Sequence, residues 1–312
     1  VAMEHSTVVG IDVSKDRLDV HVLPSQEAWA VGRDAAGLAE LCRRLEGLSG
    51  VVALEATGGY ENVVAASLSS AGIPLVVVNP AQVRAFAKAL GQRAKSDPID
   101  ARVIARFAEA TKPIVRPLPD QATQMLGHLL ARRRQIVEMT ASESQRLQRT
   151  EMARVRKSID RLLLALKREL HDIDHDIDDT VRGSPVWRDK EDLLASVPGV
   201  GRVIARTMVA DLPELGTLGR KQIGALAGLV PFVRQSGRWK GQAHIGGGRP
   251  TVRTALFLGA QVAKRHNPLL KAFYERLVAT GKSKMAATIA VAHKLLTILN
   301  AILRDKKPWQ PA

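Results

Sequence analysis

The chain of 312 residues contains a single cysteine, Cys42. One thiol excludes an intramolecular disulfide and a zinc site built on several cysteines. No uninterrupted apolar run reaches the roughly eighteen residues that a membrane-spanning helix needs. The first residues also lack the basic and then apolar pattern of a secretory signal. These absences argue against a membrane partner and predict either a cytoplasmic protein of a bacterium, associated with the nucleoid, or a nuclear protein.

Acidic residues are absent from one long segment. Between Leu215 and Tyr274 there is no Asp or Glu, whereas the segment holds ten Lys and Arg residues. The whole chain has 46 Lys and Arg against 31 Asp and Glu, a formal net charge of +15. A solvated protein surface normally mixes both signs, so this excess favours a polyanionic partner, most simply nucleic acid. An anionic membrane surface is the alternative partner.

The segment from Val8 to Pro80 alternates between strand and helix patterns. Strand patterns cover Val8–Val13, Leu18–Val22 and Glu27–Arg33, and later Val51–Leu54 and Ile73–Val78. Helix patterns follow the third, fourth and fifth of these strands. A three-stranded meander followed by right-handed crossovers is the ribonuclease H-like layout. The fold class predicted for this part of the chain is therefore α/β and RNase H-like.

Four acidic residues occupy particular places in this layout. Asp12 interrupts an apolar strand, which is costly unless a cation pairs with the carboxylate, and Glu55 ends the fourth strand, the predicted neighbour of the first. Asp97 and Asp100 lie three apart at the start of a helix and so share one face. Four such oxygen donors could hold two Mg²⁺ ions.

Each of these acids also has an explanation without a metal. Asp12 could end its strand and face water, and Glu55 could be a surface acid. Asp97 is a good N-cap residue before Pro98, and Asp100 suits the third helical position.

The segment from Gln121 to Val181 is helical in pattern, with no proline and one glycine, Gly127. Apolar residues from Met152 to Ile177 recur at steps of three and four, a heptad-like seam typical of a coiled coil or a dimer interface. The polar segment 140–145 (TASESQ) predicts a bend. An antiparallel helical hairpin is therefore expected.

Two further motifs lie near the C-terminus. The sequence Pro198-Gly199-Val200-Gly201 resembles a helix-hairpin-helix turn, in which Gly199 and Gly201 would expose backbone N–H groups to a phosphate. Glycine turns between helices are also common for steric reasons alone.

The second motif centres on Ser236, which precedes Gly237. A serine next to a glycine is most often only a turn residue. Arg234, Arg238 and Lys240 are close enough in sequence to cradle a phosphate beside its hydroxyl. Gly246–Gly248 form a loop before a helix that begins near Pro250, and Arg249 and Arg253 add two further candidate phosphate ligands.

Taken together, the motifs GIDVSK, LEATGGYE, KSDPIDARVIA, SVPGVG, RQSGRWKG and GGGRP resemble the IS-one-ten family of insertion-sequence transposases, also called DEDD transposases. The resemblance runs in order over nearly the whole chain. It implies a RuvC-like domain over residues 1–119, a coiled-coil connector over residues 120–183 and a mainly α-helical transposase domain over residues 184–312. The acidic set Asp12, Glu55, Asp97 and Asp100 then matches the acidic residues of the family, and Ser236 matches its C-terminal serine.

The resemblance also implies a mechanism and partners. It implies a DNA transposase in which Ser236 forms a covalent phosphoserine link, assisted by Mg²⁺ or Mn²⁺ at the acidic set. A structured bridge RNA would pair with donor and target DNA, and homodimers would assemble into a homotetramer.

Two other functions remain open at this point. A RuvC-type, structure-specific nuclease would use the metal and water, and would need no serine nucleophile. A non-catalytic nucleic-acid-binding protein would use its acidic residues only to cap helices, and would bind no metal there.

Overall fold

The computed structural model describes residues 7–56, 58–92, 97–115, 121–236 and 239–310. Of residues 97, 98, 121, 234, 239, 240 and 242 it describes the backbone alone. The chain divides into two compact units, Val1–Leu118 and Pro119–Ala312. The predicted connector belongs to the second unit, and its separation from a C-terminal domain at residues 183 and 184 stays a prediction.

The first unit is a mixed sheet with helices on both faces. Its strands are β1 (Thr7–Val13), β2 (Arg17–Leu23), β3 (Ala28–Gly32), β4 (Gly50–Glu55) and β5 (Leu75–Val78). Its helices are α1 (Ala35–Arg44), α2 (Glu61–Ser70), α3 (Pro80–Ala89) and α4 (Asp97–Thr111). Local signals set the helix starts, since the side chains of Asp34 and Asn79 accept hydrogen bonds from Gly37 N and Ala81 N, each at 2.8 Å.

The strand order in the sheet is β3-β2-β1-β4-β5. β2 runs antiparallel to β1 and β3, whereas β4 is parallel to β1 and to β5. This is the predicted RNase H-like order. The central strand β4 is buried on both sides, with Val51, Val52, Ala53 and Leu54 at most 1% exposed, which explains its continuous apolar run.

The two faces of the sheet have separate apolar cores. One core joins Val9, Ile11 and Leu54 to residues of α1 and α2. The other joins Val8 and Ala53 to residues of α3 and α4. Successive strand residues point to opposite faces, so membership of a core shows which face each strand position occupies.

The second unit begins with a long helical hairpin, α5 (Gln121–Arg149) and α6 (Ala153–Arg182). The bend predicted at residues 140–145 is wrong, because α5 continues through this segment. The hydroxyls of Thr140 and Ser144 donate to the carbonyls four residues earlier, at 2.8 and 2.7 Å, and so are satisfied within the helix. The chain turns back at residues 150–152 instead.

The heptad-like seam of α6 is buried over only part of its length. Ile159, Leu166, Ile173 and Ile177 are buried. Near the turn of the hairpin, Met152 is 67% exposed and Leu162 is 45% exposed. The hairpin therefore leaves an apolar strip uncovered in the single chain.

The rest of the second unit is mainly helical, as predicted. Its elements are α7 (Pro185–Ala195), α8 (Arg202–Asp211), α9 (Arg220–Leu226), β6 (Phe232–Ser236), β7 (Trp239–His244), α10 (Pro250–His266), α11 (Pro268–Ala279) and α12 (Lys284–Asp305). Among the described residues, α12 is long and apolar enough to cross a membrane by length and composition. Half of the most apolar part of α12 is buried, and Val291, Leu295 and Leu299 lie in the core of the unit.

A buried ion cluster connects α6, α7 and α8. The Arg206 side chain is 8% exposed, and its guanidinium bonds Glu191 Oε1 at 3.1 Å and Asp178 Oδ1 at 2.6 Å. Burial alone would raise the pKa of Asp178, but the guanidinium of Arg206, together with those of Arg182 and Arg202, holds that pKa below its usual range.

Candidate functional site

The sheet of the first unit places Asp12 and Glu55 on the same face. In β1, Val8 belongs to the core on the α4 side, so Gly10 and Asp12 face that side too. In β4, Ala53 belongs to the same core, so Glu55 follows it onto the same side. The parallel register pairs Ile11 with Leu54, and the next step along both strands brings Asp12 beside Glu55.

Gly10 allows the backbone of α4 to lie directly on β1. A Cβ atom added at Gly10 would stand 2.2 Å from the carbonyl oxygen of Ala101 and 2.4 Å from the nitrogen of Ala105. Ala101 directly follows Asp100, so this approach anchors the start of α4 beside the strand that carries Asp12. Asp12, Glu55 and Asp100 are each half-buried, and none is without a partner.

A further carboxylate on this face, Asp19, escaped prediction. It pairs directly with Asp12 across β1 and β2 and is only 4% exposed. The Arg17 guanidinium holds it with Nη2 to Oδ1 at 2.8 Å and Nε to Oδ2 at 3.0 Å. The alternation Asp19-Val20-His21-Val22 predicts a half-buried strand with a solvated polar face, and that expectation is wrong because α4 covers this face.

His21 shows how closely α4 covers β2. Its side chain is buried at 5% exposure and faces the same side as Asp19. Burial, and then the nearby Arg102 guanidinium of α4, hold the pKa of His21 below its usual range. The imidazole is therefore kept neutral more readily than a free one.

The chemistry of the acidic set suits a hard divalent cation. Carboxylate oxygens are the ligands that Mg²⁺ and Mn²⁺ prefer, and Asp12, Glu55 and Asp100 are the predicted acids whose side chains the structure describes. Within the described side chains, no three His, Cys, Asp or Glu residues are grouped tightly enough to hold a metal ion. The side chain of the fourth predicted ligand, Asp97, lies outside the described residues, although its backbone begins α4.

The segment after Glu55 turns sharply. Gly58 and Gly59 have positive φ angles of 63° and 102°, a conformation that glycine adopts without strain. Gly59 N donates to the carboxylate of Glu61 at 2.9 Å. Glu61 is 9% exposed, so this acid organises the turn that follows the site.

Ser236 lies at the tip of a two-stranded hairpin in the second unit. β6 and β7 are antiparallel, and Ser236 pairs with Trp239 as the last pair before the turn. Ser236 is exposed, and Phe232 and Val233 at the base of the hairpin are 46% and 50% exposed. The hairpin was not predicted, although the Ser-Gly dipeptide is a turn signal.

Three of the predicted phosphate ligands around Ser236 cannot be located by their side chains. Arg238 lies outside the described residues, and for Arg234 and Lys240 only the backbone is described. In sequence, Arg234, Arg238 and Lys240 all lie within four residues of Ser236.

Arg249 and Arg253 have structural partners within the second unit. The Arg249 guanidinium forms a bidentate pair with Glu214 at 2.5 and 2.7 Å, and it also donates to the carbonyl of Asp211 at 3.1 Å. Arg253 donates to the carbonyl of Gly247 at 2.6 Å. Both residues therefore hold the glycine loop before α10, and their binding to phosphate stays a prediction.

The two glycines between α7 and α8 differ in their surroundings. Gly199 has a φ of 103°, and a Cβ there would lie 2.6 Å from that of Ala263 in α10. Its role in this structure is to let two segments approach closely. Gly201 is the N-cap of α8, is exposed, and has nothing within 4 Å of an added Cβ, so the backbone around it is open to a ligand.

Two family models match the chain and together cover well over half of it. The first, described as a transposase of the DEDD type in the IS110 group, matches residues 9–150. The second, described as a transposase of the IS116/IS110/IS902 family, matches residues 191–275. The first match contains all four predicted acidic residues, and the second contains Ser236.

Individual relatives carry related names. The pilin gene-inverting proteins of Moraxella bovis and Moraxella lacunata are each 28% identical over 97% of both chains. The insertion element IS116 44.8 kDa protein of Streptomyces clavuligerus is 32% identical over 48% of this chain and 37% of its own length.

A solved structure titled Thermus thermophilus RuvC in complex with Holliday junction substrate covers 36% of this chain and 100% of its own. It has 19% identity and a TM-score of 0.29, so the fold assignment depends on the strand order of the sheet. The family models and the relatives agree with the order of motifs along the sequence, and the chain belongs to the IS110 family of insertion-sequence transposases, enzymes that recombine DNA.

Proposed function

We propose that this transposase cuts and rejoins DNA strands with an acidic site made of Asp12, Glu55, Asp97 and Asp100 and with Ser236 as the nucleophile. The placement of the first site carries the proposal. The β1–β4 register, which continues towards Asp12 and Glu55, and the close approach of α4 to Gly10 next to Asp100 support this site.

The reaction is a pair of transesterifications. Ser236 Oγ attacks the phosphorus of a DNA phosphodiester and gives its proton to solvent, and the bond to the departing sugar oxygen breaks as solvent protonates that oxygen. A free hydroxyl of the second strand then attacks the phosphoserine and loses its proton to solvent, and the bond to Ser236 Oγ breaks as that oxygen is protonated again. One phosphate ester replaces another in each step, so no external energy source is needed.

Serine needs help to act as a nucleophile at neutral pH. Arg234, Arg238 and Lys240 flank Ser236 in sequence and would stabilise the negative charge that develops on the phosphorane. The four carboxylates would hold Mg²⁺ or Mn²⁺, which would supply positive charge to assist phosphoryl transfer.

The net charge of +15 supports a large polyanionic assembly as the partner. We propose donor DNA, target DNA and a bridge RNA, whose base pairing would select the sites, so that the protein itself contacts mainly phosphates. The name of the Moraxella relatives supports DNA inversion as a second outcome of the same chemistry. The reaction would take place in the bacterial cytoplasm, at the nucleoid.

Exposed apolar residues on the helical hairpin support the proposal of a dimer that assembles into a tetramer. Met139 at 38%, Met152 at 67%, Val155 at 40% and Leu162 at 45% exposure form an apolar strip near the turn between α5 and α6. This strip continues the seam that is buried further along α6, and a second copy could cover it in coiled-coil fashion.

The direct experiment is denaturing electrophoresis after incubation with Mg²⁺ and a labelled plasmid that carries the element with its native flanks and their transcribed RNA. Wild-type protein should yield a protein–DNA adduct, and Ser236→Ala should yield none. Asp12→Asn should abolish the adduct while the melting temperature is retained.

Two outcomes would contradict the proposal. Cut DNA without any adduct indicates a nuclease that uses water, and an adduct formed by Ser236→Ala indicates a different nucleophile. Mixing Asp12→Ala subunits with Ser236→Ala subunits tests whether active sites are shared between subunits. Partial activity returns only if the acidic set of one subunit can work with Ser236 of another.

A further inference from the structure

A group of cations lies where α10 ends and α12 begins. Lys264 and Arg265 are in the last turn of α10, and Lys284 is the first residue of α12. We call these three residues the junction cluster. Lys264 is half-buried, whereas Arg265 and Lys284 are exposed.

Neutral groups hold Lys264 in place. Its ammonium donates to Thr288 Oγ1 at 3.1 Å and lies 4.9 Å from the centre of the Tyr274 ring. The contact with the ring is a cation–π interaction, which favours the charged form. The side chain is thus fixed in position by two helices without help from an acid.

No carboxylate compensates the junction cluster in the part of the chain that the structure describes. None of its three residues forms an ion pair there. The sequence from Leu215 to Arg304 contains one acid, Glu275. Burial, followed by the charges of Arg265 and Lys284, holds the pKa of Lys264 below its usual range.

An arrangement of like charges without counter-charge is unfavourable in the isolated chain and becomes favourable when an anion binds. The start of α12 adds to this. Ser283 caps the helix by accepting from Ala286 N at 3.3 Å, and the following turns lie beside Lys264 through Thr288. A helix start that is rich in cations suits phosphate.

From this arrangement we infer that the junction cluster is a binding site for the phosphodiester backbone of nucleic acid, separate from the Ser236 hairpin. Lys264 would act as the fixed cation, and Arg265 and Lys284 would close on the phosphate from the exposed side. This inference rests on the proposed function only in taking nucleic acid as the partner, and it requires no catalysis.

The test measures binding by fluorescence anisotropy in the absence of divalent metal, at KCl concentrations from 50 to 200 mM. The probes are a labelled duplex DNA, a single-stranded DNA and an RNA hairpin, each of arbitrary sequence. Each phosphate that a protein neutralises contributes about −0.9 to the slope of log affinity against log salt on duplex DNA, and about −0.7 on single strands.

Lys264→Gln and Lys284→Gln should each make the duplex slope shallower by about 0.9, so that the loss of affinity is about 3.5-fold larger at 50 mM than at 200 mM salt. Lys264→Arg keeps the charge and should retain the wild-type slope. Lys307→Gln is the matched control, because Lys307 is exposed and already lies near the carboxylate of Asp305. Without nucleic acid, the melting temperatures of Lys264→Gln and Lys284→Gln should be no lower than that of the wild type, because each substitution relieves like-charge repulsion.

The outcomes separate this inference from the proposed function. A wild-type protein whose affinity for all three probes is independent of salt would contradict nucleic acid as the partner altogether. A steep wild-type slope that both Gln variants retain, or that Lys307→Gln reduces equally, would overturn the junction cluster alone. Loss confined to the DNA probes or to the RNA probe identifies which backbone the cluster binds.

Discussion

The substitution Gly10→Ala tests whether the contact between α4 and β1 builds the acidic site. The new methyl group would meet backbone atoms of α4, the carbonyl oxygen of Ala101 at 2.2 Å and the nitrogen of Ala105 at 2.4 Å. Contacts below 3.0 Å are essentially never seen for a Cβ atom. Helix α4 must therefore move away from β1 by about 0.8 Å or more at this point.

This movement has a cost in stability and in geometry. Overpacking a filled core typically costs about 1–3 kcal/mol, and the upper end applies here because backbone atoms cannot rotate away. For a unit of the size of Val1–Leu118, each kcal/mol lowers the melting temperature by about 4 °C. Asp100 precedes Ala101, so the same movement displaces one carboxylate from Asp12, and a displacement of this order costs about 100-fold in rate.

Thermal unfolding and strand cutting measured on the same preparations check both expectations. The control is Gly127→Ala in α5, where an added Cβ has nothing within 4 Å. This variant should gain about 0.5–1 kcal/mol and keep full activity. A Gly10→Ala protein that melts and cuts like the wild type would refute the account of how α4 positions the acidic site.

Three further predictions concern the second unit. Arg206→Met should lower the free energy of unfolding, measured in urea, by about 3–5 kcal/mol, because it leaves the buried carboxylate of Glu191 without its ion-pair partner. Adding Glu191→Met should restore part of this free energy. Burial raises the pKa of Asp211, so its carboxylate destabilises the fold above that pKa. Asp211→Asn should therefore raise the melting temperature at neutral pH, and the gain should vanish as pH falls towards about 4, the ordinary Asp value. Gly199→Ala should cost about 1–3 kcal/mol in urea unfolding, whereas Gly201→Ser should leave stability unchanged or raise it by capping α8.

Local sequence signals were sufficient for the elements of the first unit. The five strands, their order along the chain and the helix starts after Asp34 and Asn79 follow from periodicity, caps and turns over a few residues. The strand order in the sheet also follows, because short right-handed connections leave few alternatives. The start of α10 at Pro250 was predicted for the same reason, since proline suits the first helical turn.

Predictions that needed long-range packing failed or stayed open. The polar segment 140–145 resembles a bend, but its hydroxyls find acceptors within α5. Asp19 resembles a solvated strand residue, but a helix some eighty residues later in the chain covers its face. Arg249 resembles a phosphate ligand, but Glu214 from another loop occupies its guanidinium. For Asp19 and Arg249 the deciding partner is distant in sequence, where no local pattern reports it, whereas the acceptors of Thr140 and Ser144 lie only four residues away within α5.

By itself, then, the sequence determined which residues could take part in chemistry, namely the acids at strand ends, the serine beside glycine and the excess of cations. A period of two already placed Val8, Gly10 and Asp12 on one face of β1. Only the tertiary structure decided what covers that face, because the partner of Gly10 is the backbone of α4 and backbone packing has no sequence periodicity of its own. That contact brings Asp100 to the strand that carries Asp12.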